Sequence, residues 1–238
     1  MQALILAGGQ GTRLRPYTTV LPKPLMPVGD YPILEIILRQ LRKAGVEEVI
    51  LAVGHMSQLF QAFFQDGSRY GLKILYSFEQ TPLGTAGPIA LAIDQLGEDF
   101  LVLNGDLMTT LNFRNLIRFH EEKQAAATIG IYRREVKIDF GVIETEIDGE
   151  LRRYVEKPAL EYEVNMGIHV LKKNAVQPFL KAGERLDIPD LMMSLVRDGH
   201  RVMCYREACY WLDIGRIDDY QTANEIFATR QSEFLSGT

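Results

Sequence analysis

A chain of 238 residues, 47% hydrophobic and 24% charged, has ordinary globular values and can bury a sizeable core in one large α/β domain. Its net charge of −5 argues against a duplex nucleic-acid binder, which needs a cationic footprint, although a local basic stretch can oppose the global sign. Two cysteines, Cys204 and Cys209, exclude a disulfide framework, match no metal spacing and read as reduced thiols of a cytoplasmic protein.

Taken in chain order, Ala3–Ala7 is a short apolar run ending in glycines, which reads as a buried strand and not as a signal peptide. Ile33–Ala44 carries helical spacing and stops at Gly45; Val49–Val53 is a second buried strand. A helix over Gln58–Phe64, a strand over Lys73–Phe78, a helix over Gly87–Leu96 and a strand over Phe100–Leu103 follow. Buried β-runs separated by helices predict a mostly parallel, Rossmann-like α/β sheet covered on both faces. After Phe113–Lys123 the texture changes: Ala126–Tyr132, Gly141–Glu146, Leu151–Val155 and Tyr162–Leu171 read as strands. Asp148-Gly149 has the chemistry of a hairpin turn. Helices over Ile188–Arg197 and Ile217–Arg230 flank a strand at Arg201–Tyr205. No apolar stretch approaches the roughly 20 residues that cross a bilayer. The second half therefore reads as a small β extension of the same core, with no linker before it.

The loop Leu6-Ala7-Gly8-Gly9-Gln10-Gly11-Thr12-Arg13-Leu14 follows a strand directly. Glycines there let backbone N–H groups converge on an anion, and Arg13 adds a planar fork for phosphate oxygens. Lys23, between Pro22 and Pro24, is a rigidly mounted point charge. Glycines alone would more often form a surface turn; glycines with Arg13 and Lys23 point to phosphate. The spacing fits neither a Walker A loop nor the dinucleotide fingerprint, which removes an oxidoreductase reading.

These residues, Gly8 to Pro16 followed by Pro22-Lys23-Pro24-Leu25, resemble the signature of the sugar-1-phosphate nucleotidyltransferases. The resemblance implies one nucleotidyltransferase domain over 1–238, with 1–124 mainly binding nucleotide and 125–238 mainly sugar phosphate. It implies transfer of a nucleotide to a sugar 1-phosphate with Mg²⁺ and release of pyrophosphate. Nucleotide contacts are then expected from Leu6, Ala7, Gly8, Gly9, Gly11 and Thr12, with Arg13 and Lys23 balancing phosphate charge.

Glu79 to Gly87 leads from a strand toward a helix, for which Thr85 is the candidate cap; in the family the equivalent segment lies against the base, implying contacts from Gln80, Gly84 and Thr85. Asp106 follows a strand at its carboxyl end, and Asp213 sits in Trp211-Leu212-Asp213-Ile214-Gly215. Each alone reads as a turn or cap residue; together they make a hard-oxygen pair for Mg²⁺, as the family implies. Asp218 and Asp219 read as first-turn acids of the last helix. Glu156-Lys157-Pro158 is otherwise an ordinary exposed ion pair, but the resemblance gives Lys157 to the sugar phosphate and Glu156 to sugar hydroxyls. It gives further sugar contacts to Asn165 and Gly141. Met166 stands where the family commonly has a smaller residue such as alanine, a departure that leaves the shape of the sugar pocket open. His55, His120, His169 and His200 read as core or surface residues.

The runs Val49–Gln58 and Gln80 to Pro88 look closest to mannose-1-phosphate guanylyltransferases, implying GTP with mannose or heptose 1-phosphate. Glucose-1-phosphate uridylyl- and thymidylyltransferases share most of these motifs. A non-catalytic nucleotide-sugar sensor would typically have lost a cation or metal ligand, and here all are present. No nucleic-acid or membrane partner is expected, and a homo-oligomer is compatible with the sequence. The resemblance ends shortly after the last helix, so no appended β-helical acyltransferase domain is expected.

Overall fold

The structure, a computed structural model, describes residues 1–235. The first half runs β1 (Gln2–Leu6), the short strands β2 (Pro27–Val28) and β3 (Tyr31–Pro32), α1 (Ile33–Ala44), β4 (Glu48–Val53) and α2 (Ser57–Phe64). It continues with β5 (Lys73–Phe78), α3 (Gly87–Ala92), β6 (Asp99–Asn104), β7 (Leu107–Thr109) and α4 (Phe113–Lys123). The second half adds β8 (Ala127–Lys137), β9 (Val142–Thr145), β10 (Leu151–Val155), β11 (Ala159–Lys172) and α5 (Lys173–Val176). Then come α6 (Ile188–Arg197), β12 (Val202–Tyr205), β13 (Trp211–Asp213) and α7 (Ile217–Leu235).

Seven strands form one sheet in the order β12-β8-β11-β6-β1-β4-β5. β11 alone runs antiparallel to its neighbours; the other six share one direction. The expected α/β architecture is present. Both faces of the central strands are covered: Ala3 and Ile5 of β1 pack with α1 and α2, and Leu4 packs on the other side with α3 and α6. That double burial is why the strand reads as an unbroken apolar run. α1 holds its place through Leu34, Ile37, Leu38 and Leu41, and ends where Gly45 adopts φ 95° and donates back to Arg42.

Three departures from the sequence reading matter. β8 and β11 run well past the expected ends, because their outer halves pair with each other and not with a core. The predicted helix Gly87–Leu96 is α3 plus a 3-10 turn over Ile93–Gln95. α7 continues beyond Arg230, whose φ of −128° marks a kink at the expected stop. The hairpin at Asp148-Gly149 forms, with Gly149 at φ 91°.

A third apolar cluster seats α7 against Leu14, Met26, Ile33 and Ile36. It ties the end of the chain to the segment following the glycine loop. No helix among the described residues is long and apolar enough to cross a membrane.

Candidate active site

β4 and β6 lie on opposite sides of β1, so the strand order reverses there. In open α/β sheets the crevice outside the carboxyl ends at such a point is where ligands bind. Two of the loops bordering it carry the chemistry. After β1, Ala7 donates to Ala52 (2.8 Å) and the chain turns through Gly8 and Gly9. Gly11 sits at φ 61°, and a side chain there would press within 2.9 Å of Thr18. Thr18 donates to the Gly11 carbonyl (2.8 Å), fixing the turn. A 3-10 turn over Thr12–Leu14 then buries Leu14 and leaves Arg13 exposed. Another, over Lys23–Leu25, buries Lys23 to 7% exposure.

After β6, Gly105 donates to Leu6 (2.9 Å) and Asp106 follows. β7 and β13 are three residues each, too short to show a period in the sequence, yet they pair antiparallel with Asp213 opposite Leu107. Ile214 also donates to the Asp106 carbonyl (3.2 Å). This small ribbon brings two aspartates distant in sequence to the same place. The Lys23 ammonium contacts Asp106 Oδ2 and lies 3.7 Å from Asp213 Oδ1. Burial, then the neighbouring Asp106, pushes the Asp213 carboxyl above the usual carboxylate range, with Lys23 and Arg13 opposing. No group of three or more His, Cys, Asp or Glu side chains among the described residues forms a metal cage. Two hard carboxylates converging on one cation fit Mg²⁺, which takes one or two carboxylates and completes its shell from substrate phosphates and water.

Two cavities meet at this cluster. One, of about 420 Å³, is lined by the glycine loop, Lys23, Asp106 and the Glu79–Thr85 segment. Every residue expected to touch nucleotide lines it except Gln80; Glu79 stands there instead. Glu79 Oε2 accepts from the Leu83 N–H (3.3 Å), and a Cβ on Gly8 would meet Oε1 at 2.6 Å. Burial raises the Glu79 carboxyl above its usual range. The sequence gives no reason to single Glu79 out from its loop; only the strand end of β5 aims it inward. The second cavity, of about 400 Å³, holds Arg13, Tyr132, Arg134, Trp211, Asp213 and Arg216. Arg13 therefore borders both.

Thr85 does not cap α3, whose cap position is Ala86. Its hydroxyl accepts from Ile188 at the start of α6 (2.8 Å), and its N–H donates to Asp187 (3.0 Å). Asp219 does cap its own helix, accepting from Gly215 and Arg216. The sugar set lies farther out. Gly141, Glu156, Lys157 and Asn165 line neither cavity. Gly141 sits under the Tyr154 ring, whose hydroxyl donates to Glu156 (3.3 Å). Lys157 is exposed at φ 44°, and Asn165 accepts from Gly167 (2.8 Å) in a bulge of β11. Met166 does not face the crevice: its side chain is buried in the core and its carbonyl accepts from the Trp211 indole (2.9 Å). The bulge of β11 turns this residue inward.

The sequence profile described as Nucleotidyl transferase matches residues 2–230. A UTP–glucose-1-phosphate uridylyltransferase of Synechocystis is 33% identical over 94% of this chain and 62% of the relative. A mannose-1-phosphate guanylyltransferase of Mycobacterium tuberculosis is 33% identical over 92% of this chain and 62% of the relative. The catalytic subunit beta of that enzyme type from Danio rerio is 36% identical over 93% and 63%. The chain thus spans less than two thirds of the length of these relatives. Its fold matches HddC from Yersinia pseudotuberculosis with a TM-score of 0.74 at 24% identity, covering 95% of this chain and 99% of that one. The profile takes in the glycine loop, both aspartates and the sheet between them: the chain belongs to the Nucleotidyl transferase family.

Proposed function

We propose that this protein joins a sugar 1-phosphate to a nucleoside triphosphate and releases pyrophosphate, with GTP and mannose or heptose 1-phosphate as its substrates. The observation that carries the reading is the convergence of Asp106 and Asp213 on Lys23, where the two cavities meet under Arg13. A sugar-phosphate oxygen attacks the α-phosphorus, a new P–O bond forms, and the bond from the α-phosphorus to the oxygen linking it to the β-phosphorus breaks, that oxygen leaving with pyrophosphate. The attacking oxygen is already ionised at neutral pH, so no protein base is required. Both reactants are anions; the work left to the protein is alignment and charge neutralisation.

The glycine-loop N–H groups and Arg13 face the triphosphate, and Lys23 takes developing charge on the leaving group. Lys157 and Glu156, both exposed, serve the sugar phosphate and sugar hydroxyls. Asp106 and Asp213 would hold Mg²⁺, which when bound supplies a Lewis acid for the phosphate oxygens. Residues 1–124 serve the nucleotide and those after 125 the acceptor, within one unit. The free thiols Cys204 and Cys209 fit a reducing, cytoplasmic setting.

Relatives named as mannose-1-phosphate guanylyltransferases favour the guanylyl reading, and one named as a glucose-1-phosphate uridylyltransferase keeps that second reading in play. A pyrophosphate-release screen of four nucleoside triphosphates against mannose, heptose and glucose 1-phosphates separates them. Turnover is expected with GTP, and Asp106→Asn should lower it by at least about 10²-fold with an unchanged far-UV spectrum. Near-normal turnover in that variant would remove Asp106 from the chemistry. Silence of the wild type across the grid, with nucleotide-sugar binding retained, would make the protein a sensor.

A further inference from the structure

The second cavity is lined by Arg13, Arg134 and Arg216 beside Asp213. None of the three reaches a carboxylate in an ion pair among the described residues. Their neighbours on the same β extension do. Arg133 pairs with Glu161 (3.5 Å), Arg152 with Glu146 (3.7 Å), Arg153 with Glu144 (3.4 Å) and Arg206 with Glu163. The remaining acid of the wall, Asp219, spends one carboxylate oxygen on the N–H groups of Gly215 (3.1 Å) and Arg216 (2.8 Å). It fixes the backbone of Arg216 and makes no ion pair with its side chain.

Arginine stays charged at any working pH, so like charges gathered around one cavity repel unless an anion joins them. Arg134 stands on β8 opposite Tyr162 in the β11 register. Two residues earlier on the same strand face, Tyr132 packs on Trp211 with ring centroids 5.4 Å apart. The Trp211 indole is in turn held by the Met166 carbonyl (2.9 Å). An aromatic corner beside unpaired guanidiniums matches a molecule with a ring at one end and a phosphate at the other. The cavity, at about 400 Å³, has room for it.

We propose that Arg134 and Arg216 form a second phosphoryl-anion site, joined to the glycine loop through Arg13, which lines both cavities. Its assignment to the acceptor rests on the transferase reading; the site takes the phosphate of the sugar 1-phosphate beside Asp213, with Lys157 as a further cation for the same group. Departing pyrophosphate shares the same chemistry and is the other source of such an anion.

Calorimetric titration of Arg134→Gln, Arg216→Gln and the double variant tests the site. The probes are mannose 1-phosphate, inorganic pyrophosphate, free mannose and GTP. Both arginines are exposed, so the variants should fold as the wild type does, with thermal melting as the control. In the double variant mannose 1-phosphate should bind at least tenfold more weakly, with GTP within twofold and free mannose unchanged. A tenfold loss confined to pyrophosphate also supports the anion site and gives it to the leaving group. Wild-type binding of both anions overturns it, as does an equal loss for GTP. Wild-type pyrophosphate release alongside unaltered anion binding in the variants removes only the arginine site. A silent wild type removes the transferase reading and leaves the titrations meaningful.

Discussion

Lys23 is a buried ammonium with carboxylates on either side of it, and its neighbours explain why that is tolerable. A lone charge in that position would be costly, whereas the pair of aspartates compensates it and is compensated in turn. His169 has no such relief. It lies buried in β11 between Val102 and Ile129, and neither ring nitrogen finds a partner. Burial holds its imidazole down to about 4. In the unfolded chain it titrates near 6.5, so between about 4 and 6.5 the unfolded state binds the extra proton. Stability is therefore complete above 6.5 and falls as the pH drops toward 4, by about 3 kcal/mol from this group. For a chain of this size that lowers Tm by roughly 6–12 °C. His169→Leu should flatten the acid limb of a Tm-against-pH series, and an identical limb in that variant would assign the acid loss to other groups.

Among the elements, what was legible followed from burial on a regular period. α1 announces itself because one stripe of it is core and Gly45 stops it. β1, β4 and β6 announce themselves because both their faces are covered. β7 and β13 are silent in sequence, and so is the antiparallel direction of β11, because neither length nor direction leaves a mark on apolar spacing. The site divides in the same way. Arg13, Lys23 and the aspartates sit in motifs, while Glu79, Arg134 and Arg216 owe their places to strand ends and register alone. The loop before α3 was legible as a motif but not as a joint. Gly84, at φ 78°, comes so close to Leu186 that a Cβ would lie 2.6 Å from its carbonyl oxygen. Thr85 then donates its N–H to the Asp187 carboxylate and accepts from the Ile188 N–H at the start of α6. Thr85→Val removes the acceptor for the Ile188 N–H and should cost about 1 kcal/mol in urea unfolding. Asp187→Ala should cost a similar amount, and the double variant less than the sum of the two by at least about 0.5 kcal/mol. Strict additivity would show that the two residues act separately.

At the scale of the molecule, the two halves are not stacked but interleaved. β6 of the first half pairs with β11 of the second, and β7 of the first with β13 of the second. α3 and α6 share one apolar face of the sheet, and α7 returns to pack on the segment after the glycine loop. Opening either half would expose core belonging to the other, so the active-site cluster should melt with the sheet and not before it. The chain offers a direct probe, since its one tryptophan, Trp211, lies in β13 beside Asp213. In a urea titration the Trp211 fluorescence and the far-UV circular dichroism should share a midpoint and an m-value. The outer halves of β8 and β11, with the β9–β10 hairpin, bury little and should exchange their amide protons well before that midpoint. A fluorescence transition that precedes the dichroism would mean that the second half unfolds as its own unit. The two aspartates would then be held together by substrate and not by the fold.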